Sequence, residues 1–197
     1  MGNVPRRNAC AAGVHASRLQ RIPLRGGSPD HALYSCHVGR RLCSPRGAFE
    51  TPYQRQPLDL DEDSFAIARA PLIRDRLAHI EETGGLDKIA EADDRERPNK
   101  TWAMACRWDS FSKEDLLEIA ECMGGRALSV VCQTLAEEWG HCTSGLPDLV
   151  VWRYEDKKVR FCEVKGPGDR LSDKQKVWID ILSRAGCQVE VSLVSAH

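Results

Sequence analysis

Three polar side chains stand where a core strand would carry apolar ones. Asp148 immediately precedes the apolar run Leu149-Val150-Val151-Trp152, and Glu163 and Lys165 interrupt an alternating run from Lys158 to Lys165. Period-two geometry puts Glu163 and Lys165 on one strand face, and a hairpin between the two runs would bring Asp148 close to Glu163 across the ladder. Two carboxylates meeting at a sheet edge suit a hard divalent cation such as Mg²⁺ or Mn²⁺, which takes oxygen ligands and keeps several waters. The intervening Val164 carbonyl is a further candidate ligand. A lysine beside such a cation can orient or help deprotonate an attacking water and stabilise charge developing on a phosphate. That is the chemistry of metal-assisted phosphodiester hydrolysis. Glu-x-Lys alone occurs in most proteins, usually as solvated strand residues forming a weak surface pair. Spacing by itself leaves both readings open.

The surrounding pattern supplies elements that can position these residues. Phe65, Ile67, Leu72, Ile73, Leu77 and Ile80 predict a helix over about 64–82, stopped by Gly84-Gly85. The charged, Pro-containing run Glu91–Lys100 reads as a solvated connection, and the apolar stretch Trp102–Trp108 has no decisive period. Ser112 reads as an N-cap with Asp115 at the third helical position, and Phe111 can staple onto Leu116. Gly124-Gly125 then separates this helix from a second one over Arg126–Trp139. After Gly145 the period changes to that of strands: 149–152, a polar turn at 154–157, and 158–165. Ser172–Ala185 is a helix with Val177, Trp178, Ile181 and Leu182 on its apolar stripe, and Gln188–Val194 is a last strand. Strand–strand–helix–strand, preceded by helices, predicts an α/β fold with a small mixed sheet.

Gly145-Leu146-Pro147-Asp148-Leu149-Val150-Val151-Trp152, then Glu163-Val164-Lys165-Gly166-Pro167, then Asp169-Arg170-Leu171-Ser172 with Lys174-Gln175, resembles the VRR-NUC module of the PD-(D/E)XK nuclease superfamily. Within it the sequence is most similar to the Fanconi-associated nucleases, structure-specific DNA repair enzymes. Pro57-Leu58-Asp59-Leu60, Asp63-Ser64-Phe65, Trp108-Asp109-Ser110-Phe111 and Leu128-Ser129 with Val131-Cys132 fit the same family. The resemblance implies a restriction-endonuclease-like core over 49–197, incomplete at its N-terminal end. It implies Asp148 and Glu163 as metal ligands, Lys165 as the catalytic lysine and Gln175 as a member of the catalytic set. It further implies Lys174 and Arg170 as contacts to DNA phosphate. Gln175 also completes a capping box with Ser172, and Lys174 also suits a solvated helix face. The implied activity is DNA cleavage at 5′ flaps and in the 5′→3′ direction during interstrand crosslink repair, in the nucleus, with DNA-repair proteins as partners. The alternative is a catalytically impaired nuclease-like module that binds DNA or a partner. The family's pattern adds an acidic residue on an upstream helix, whereas the only acid in residues 1–49 is Asp30. It also tends to carry Arg where this chain has Gly140.

Composition sets the outer limits. The chain has 197 residues and a formal net charge of −1, but eight Arg against Asp30 give the first 49 residues +7, and the remainder carries −8. That asymmetry marks 1–48 as a basic segment expected to be disordered or irregular and foreign to the nuclease module. No apolar run approaches the ~20 residues of a membrane helix. Nine cysteines, an odd number without C-x-x-C spacing, make a poor disulfide framework. His31, Cys36, His37 and Cys43 match no familiar zinc-finger spacing.

Overall fold

The computed structural model describes residues 20–23, 57–60, 62–100, 108–142 and 144–194. The basic segment apart from 20–23, with His31, Cys36, His37 and Cys43, lies outside the described residues, as does the stretch 101–107. The elements run β1 (Gln20–Pro23), α1 (Ser64–Ala68), α2 (Ala70–Thr83), α3 (Leu86–Glu96), α4 (Lys113–Met123), α5 (Gly125–Glu137), α6 (Trp139–Cys142), β2 (Leu149–Arg153), β3 (Lys158–Lys165), α7 (Asp173–Arg184) and β4 (Gln188–Leu193). The strands form one mixed sheet in the order β1-β2-β3-β4, antiparallel except for the parallel pair β3–β4. This is the small mixed sheet with flanking helices that the sequence predicts. β1 is an addition to it, because Gln-Arg-Ile-Pro carries no strand alternation.

Two differences have clear physical causes. The helix expected over 64–82 is broken at Arg69, whose buried guanidinium makes two bonds to the Asp59 carboxylate, at 2.6 and 3.0 Å, and a third to the Phe65 carbonyl. The solvated connection expected at 91–100 is largely helix, α3 followed by a 3₁₀ turn at Arg97–Asn99. Its Ile89 and Ala92 enter the core while Lys88–Glu91 and Arg95–Glu96 pair on the outer side. A second guanidinium clamp holds its end: Arg97 grips the buried Asp93 carboxylate and donates to the carbonyls of Trp108 and Phe111.

Elsewhere the local signals translate directly. The Ser112–Asp115 and Ser172–Gln175 capping boxes both form. Gly84, at φ 76°, closes α2 in the left-handed conformation that glycine adopts without a Cβ penalty. Val150, Trp152, Val159 and Phe161 face the helices and pack with Leu116, Ile119, Leu128, Leu135, Trp178 and Leu182 in one hydrophobic core. Cys122, Cys132, Cys142, Cys162 and Cys187 are buried free thiols. Burial pushes the Cys187 thiol up to about 11, consistent with an inert core role. No helix among the described residues is long and apolar enough to cross a membrane.

Candidate active site

The β2–β3 hairpin pairs Leu149 with Cys162. One step further along the same register, Asp148 comes opposite Glu163, as the hairpin geometry requires. The Asp148 carboxylate is anchored there, its Oδ2 accepting a 2.9 Å bond from the Val164 N–H. An extended residue directs its N–H and C=O to the same edge, so the Val164 carbonyl also lies on the Asp148 side of β3. Lys165, the next residue, turns its carbonyl the other way, toward β4, where it accepts from the Val194 N–H at 2.8 Å.

Glu163 and Lys165 share the inner face, as period-two alternation predicts, and both are buried. The Lys165 ammonium lies 3.0 Å from Glu163 Oε1 and donates to Gln175 Oε1 at 2.9 Å. Gln175 Nε2 in turn donates to Glu163 Oε1. One carboxylate oxygen therefore receives both neighbours, and the other, Oε2, is buried without a hydrogen-bond partner. A buried carboxylate oxygen left unpaired is costly unless something electropositive meets it. Together with Asp148 and the Val164 carbonyl edge, it offers the hard oxygen donor set that a Mg²⁺- or Mn²⁺-sized cation takes. Among the described residues, no cluster of three or more His, Cys, Asp or Glu is poised to hold a metal. The site as described contributes two carboxylates.

Gln175 reaches this network because Ser172 caps α7. The Ser172 side chain accepts from the Gln175 N–H at 3.3 Å, and the Ser172 N–H donates to Gln175 Oε1 at 2.9 Å. The two readings of Gln175, catalytic set and capping box, are thus compatible in one side chain. Lys174 and Arg170 are exposed on the first turn of α7 and the loop before it, outside the hydrogen-bonded network and unpaired with any acid among the described residues. Gly145 is a positioning residue that spacing alone does not reveal. Its φ is +103°, and a Cβ there would meet the main chain of Lys174 at 2.8 Å. The loop leading to Asp148 therefore presses on the first turn of α7 at a point where only glycine fits.

The sequence matches the family described as VRR-NUC domain over residues 86–196. Fanconi-associated nuclease 1 of Ailuropoda melanoleuca is 41% identical over 150 residues, covering 75% of this chain and 15% of the relative. The Fanconi-associated nuclease 1 homolog of Schizosaccharomyces pombe is 39% identical over 151 residues, covering 77% of this chain and 21% of the relative. The chain therefore spans about a fifth or less of the length of these curated relatives. Among solved structures, paFAN1 bound to DNA with a 2-nucleotide 5′ flap and a gap superposes with a TM-score of 0.75 at 23% identity. The match covers 91% of this chain and 33% of that one, a likeness of fold.

Proposed function

This chain belongs to the VRR-NUC domain family, and from that membership we propose that it is a divalent-metal-dependent DNA nuclease. The observation that carries the reading is the fully buried Glu163, whose Oε2 has no partner, set opposite Asp148 and beside the Lys165 ammonium. Asp148, Glu163 and the Val164 carbonyl would hold Mg²⁺ or Mn²⁺. When bound, such a cation lowers the pKa of a coordinated water and neutralises charge on a phosphate oxygen.

The protein's own groups account for the rest. The bonds to Glu163 and Gln175 use two of the three protons of the Lys165 ammonium, leaving one for an attacking water or a phosphate oxygen. Held by two partners, the ammonium is already oriented before substrate arrives, so little reorganisation is needed as negative charge grows on phosphorus-bound oxygen. Water adds to phosphorus while the P–O ester bond on the far side breaks. Lys174 and Arg170, exposed and unpaired beside α7, suit contacts to neighbouring backbone phosphates.

The relatives are named as Fanconi-associated nucleases, and the solved neighbour is bound to flapped DNA. In keeping with those names, the reading extends to 5′-flap and 5′→3′ cleavage in interstrand crosslink repair, in the nucleus alongside other repair proteins. The domain so read spans 49–197, with 1–48 a separate basic segment. The presence of only two carboxylates at the site among the described residues favours, as a second reading, a module that binds DNA or a repair partner without cutting.

Purified chain incubated with 5′-flap DNA and Mg²⁺ or Mn²⁺ separates the two. Cleavage that is lost on chelation and in Asp148→Ala and Lys165→Ala establishes the nuclease. DNA binding without cleavage at any metal concentration establishes the second reading.

A further inference from the structure

The Gln175 carboxamide can face the site in two orientations, and the groups around it permit one. Its Oε1 meets two donors, the Ser172 N–H at 2.9 Å and the Lys165 ammonium at 2.9 Å. Its Nε2 meets an acceptor, Glu163 Oε1. A flipped amide would set its NH₂ against two donors and its oxygen against a carboxylate. Lys165 is itself bonded to Glu163 and has a flexible stem, so it alone does not dictate the orientation. The Ser172 N–H is fixed by the main chain at the N-cap of a twelve-residue helix.

We propose that Ser172 is a positioning residue of the active site, acting through its main-chain N–H on Gln175. The N-cap donor fixes the Gln175 amide, the amide engages Glu163 Oε1, and Glu163 Oε2 is thereby the oxygen left to face a cation. The capping box thus does two things at once: it starts the helix and aligns a metal ligand. The Ser172 hydroxyl serves the first purpose, accepting from the Gln175 N–H, and the Ser172 N–H serves the second. This inference rests on the proposed metal-site reading.

The two purposes separate experimentally because Ser172 has φ −68° and ψ 162°, a conformation proline adopts without strain. Ser172→Pro removes the N–H and the hydroxyl, whereas Ser172→Ala removes the hydroxyl alone. In the full chain titrated with Mn²⁺ alone by calorimetry, Ser172→Ala should bind within about threefold of wild type, although it melts earlier. Ser172→Pro should weaken Mn²⁺ binding about 10- to 100-fold, the range for loss of a group that orients a metal ligand. Gln175→Leu should weaken it by a similar factor, and Ser172→Pro with Gln175→Leu should be no worse than Gln175→Leu alone. A merely structural cap predicts multiplying losses in the double variant.

Wild-type affinity in folded Ser172→Pro, or multiplying losses, overturns the proposal while leaving the metal site intact. Unchanged Mn²⁺ binding in Asp148→Ala overturns the metal-site reading and this inference with it. Should Ser172→Pro not fold, hydrogen exchange decides. The Ser172 amide should be protected in wild type and lose that protection in Gln175→Leu, and equal exchange in both refutes the link.

Discussion

Replacing Glu163 by Gln tests the site through stability as well as through chemistry. The carboxylate is fully buried, with Oε1 bonded to Lys165 and Gln175 and Oε2 bare. A carboxamide of the same shape keeps an oxygen for both donors but removes the counter-charge of the buried Lys165 ammonium. Exchanging charge-assisted bonds for neutral ones should cost the metal-free protein about 1–3 kcal/mol. Truncation by Glu163→Ala, which leaves that ammonium bonded to Gln175 but without a counter-charge, should cost about 3–5 kcal/mol. Adding Mn²⁺ then reverses the comparison. At about 100 times its dissociation constant, a cation that binds only the folded state adds about 2.7 kcal/mol. In a domain of this size, that is a rise in Tm of roughly 5–10 °C. Glu163→Gln gives up one of the two carboxylates, and its Mn²⁺-induced rise should shrink to below about 2 °C. Differential scanning calorimetry with and without Mn²⁺ reads both effects in one instrument. A variant as stable as wild type without metal and equally stabilised by Mn²⁺ would refute the placement of Glu163 at both a buried ion pair and a metal site.

Other perturbations probe the scaffold. The Arg69 guanidinium holds the Asp59 carboxyl below its ordinary value, so Asp59→Ala should cost about 3–5 kcal/mol at neutral pH. Because the native pKa is depressed, the wild-type advantage is full above the unfolded value near 3.9. It is lost as pH falls through the native one; urea melts of both proteins should show the gap narrowing as pH falls from about 4 to about 2.5. A pH-independent gap contradicts the ion pair. Gly145→Ala forces a methyl group to 2.8 Å from the Lys174 main chain at φ +103°. It should destabilise by roughly 2–4 kcal/mol and displace the first turn of α7. Cleavage and Mn²⁺ affinity should fall together, and a variant that retains both shows that the contact yields. Ser112→Ala removes the other capping box, which has no bond to the Glu163–Lys165–Gln175 network, and should cost about 1 kcal/mol in denaturant titration with Mn²⁺ affinity unchanged.

What could be read from the sequence depended on how far each interaction reaches along the chain. The strands of the hairpin, the Ser112 and Ser172 helix caps and the shared face of Glu163 and Lys165 are consequences of period two or of three-residue spacing. All appear in the structure where the pattern put them. Helix α3 went unread because its interior is narrow. Ile89 and Ala92 supply little apolar stripe among Lys88, Glu91, Asp94, Arg95 and Glu96, and the tertiary clamp between Asp93, Arg97 and the Phe111 carbonyl decides the matter. The Asp59–Arg69 clamp likewise spans ten residues and has no periodic signature. At the site, residue types and the facing carboxylates were legible. The sharing of Glu163 Oε1 by two donors was not, because it depends on side-chain rotamers that only packing selects.

The hairpin and the crossover through α7 have a consequence for how the protein folds. Asp148, Glu163, Lys165 and Gln175 fall within 28 consecutive residues, and every bond joining them closes a short loop. Closure entropy grows only as the logarithm of loop length, and contacts of low sequence separation form early and quickly. Assembly of the reactive groups therefore does not wait for distant parts of the chain to find one another. The longer-range work, seating this segment on α4 and α5 through Trp152, Phe161 and Trp178, sets how long the arrangement lasts once made. Speed of formation and duration of the site are thus assigned to different parts of the same small protein, so mutations can tune either one separately.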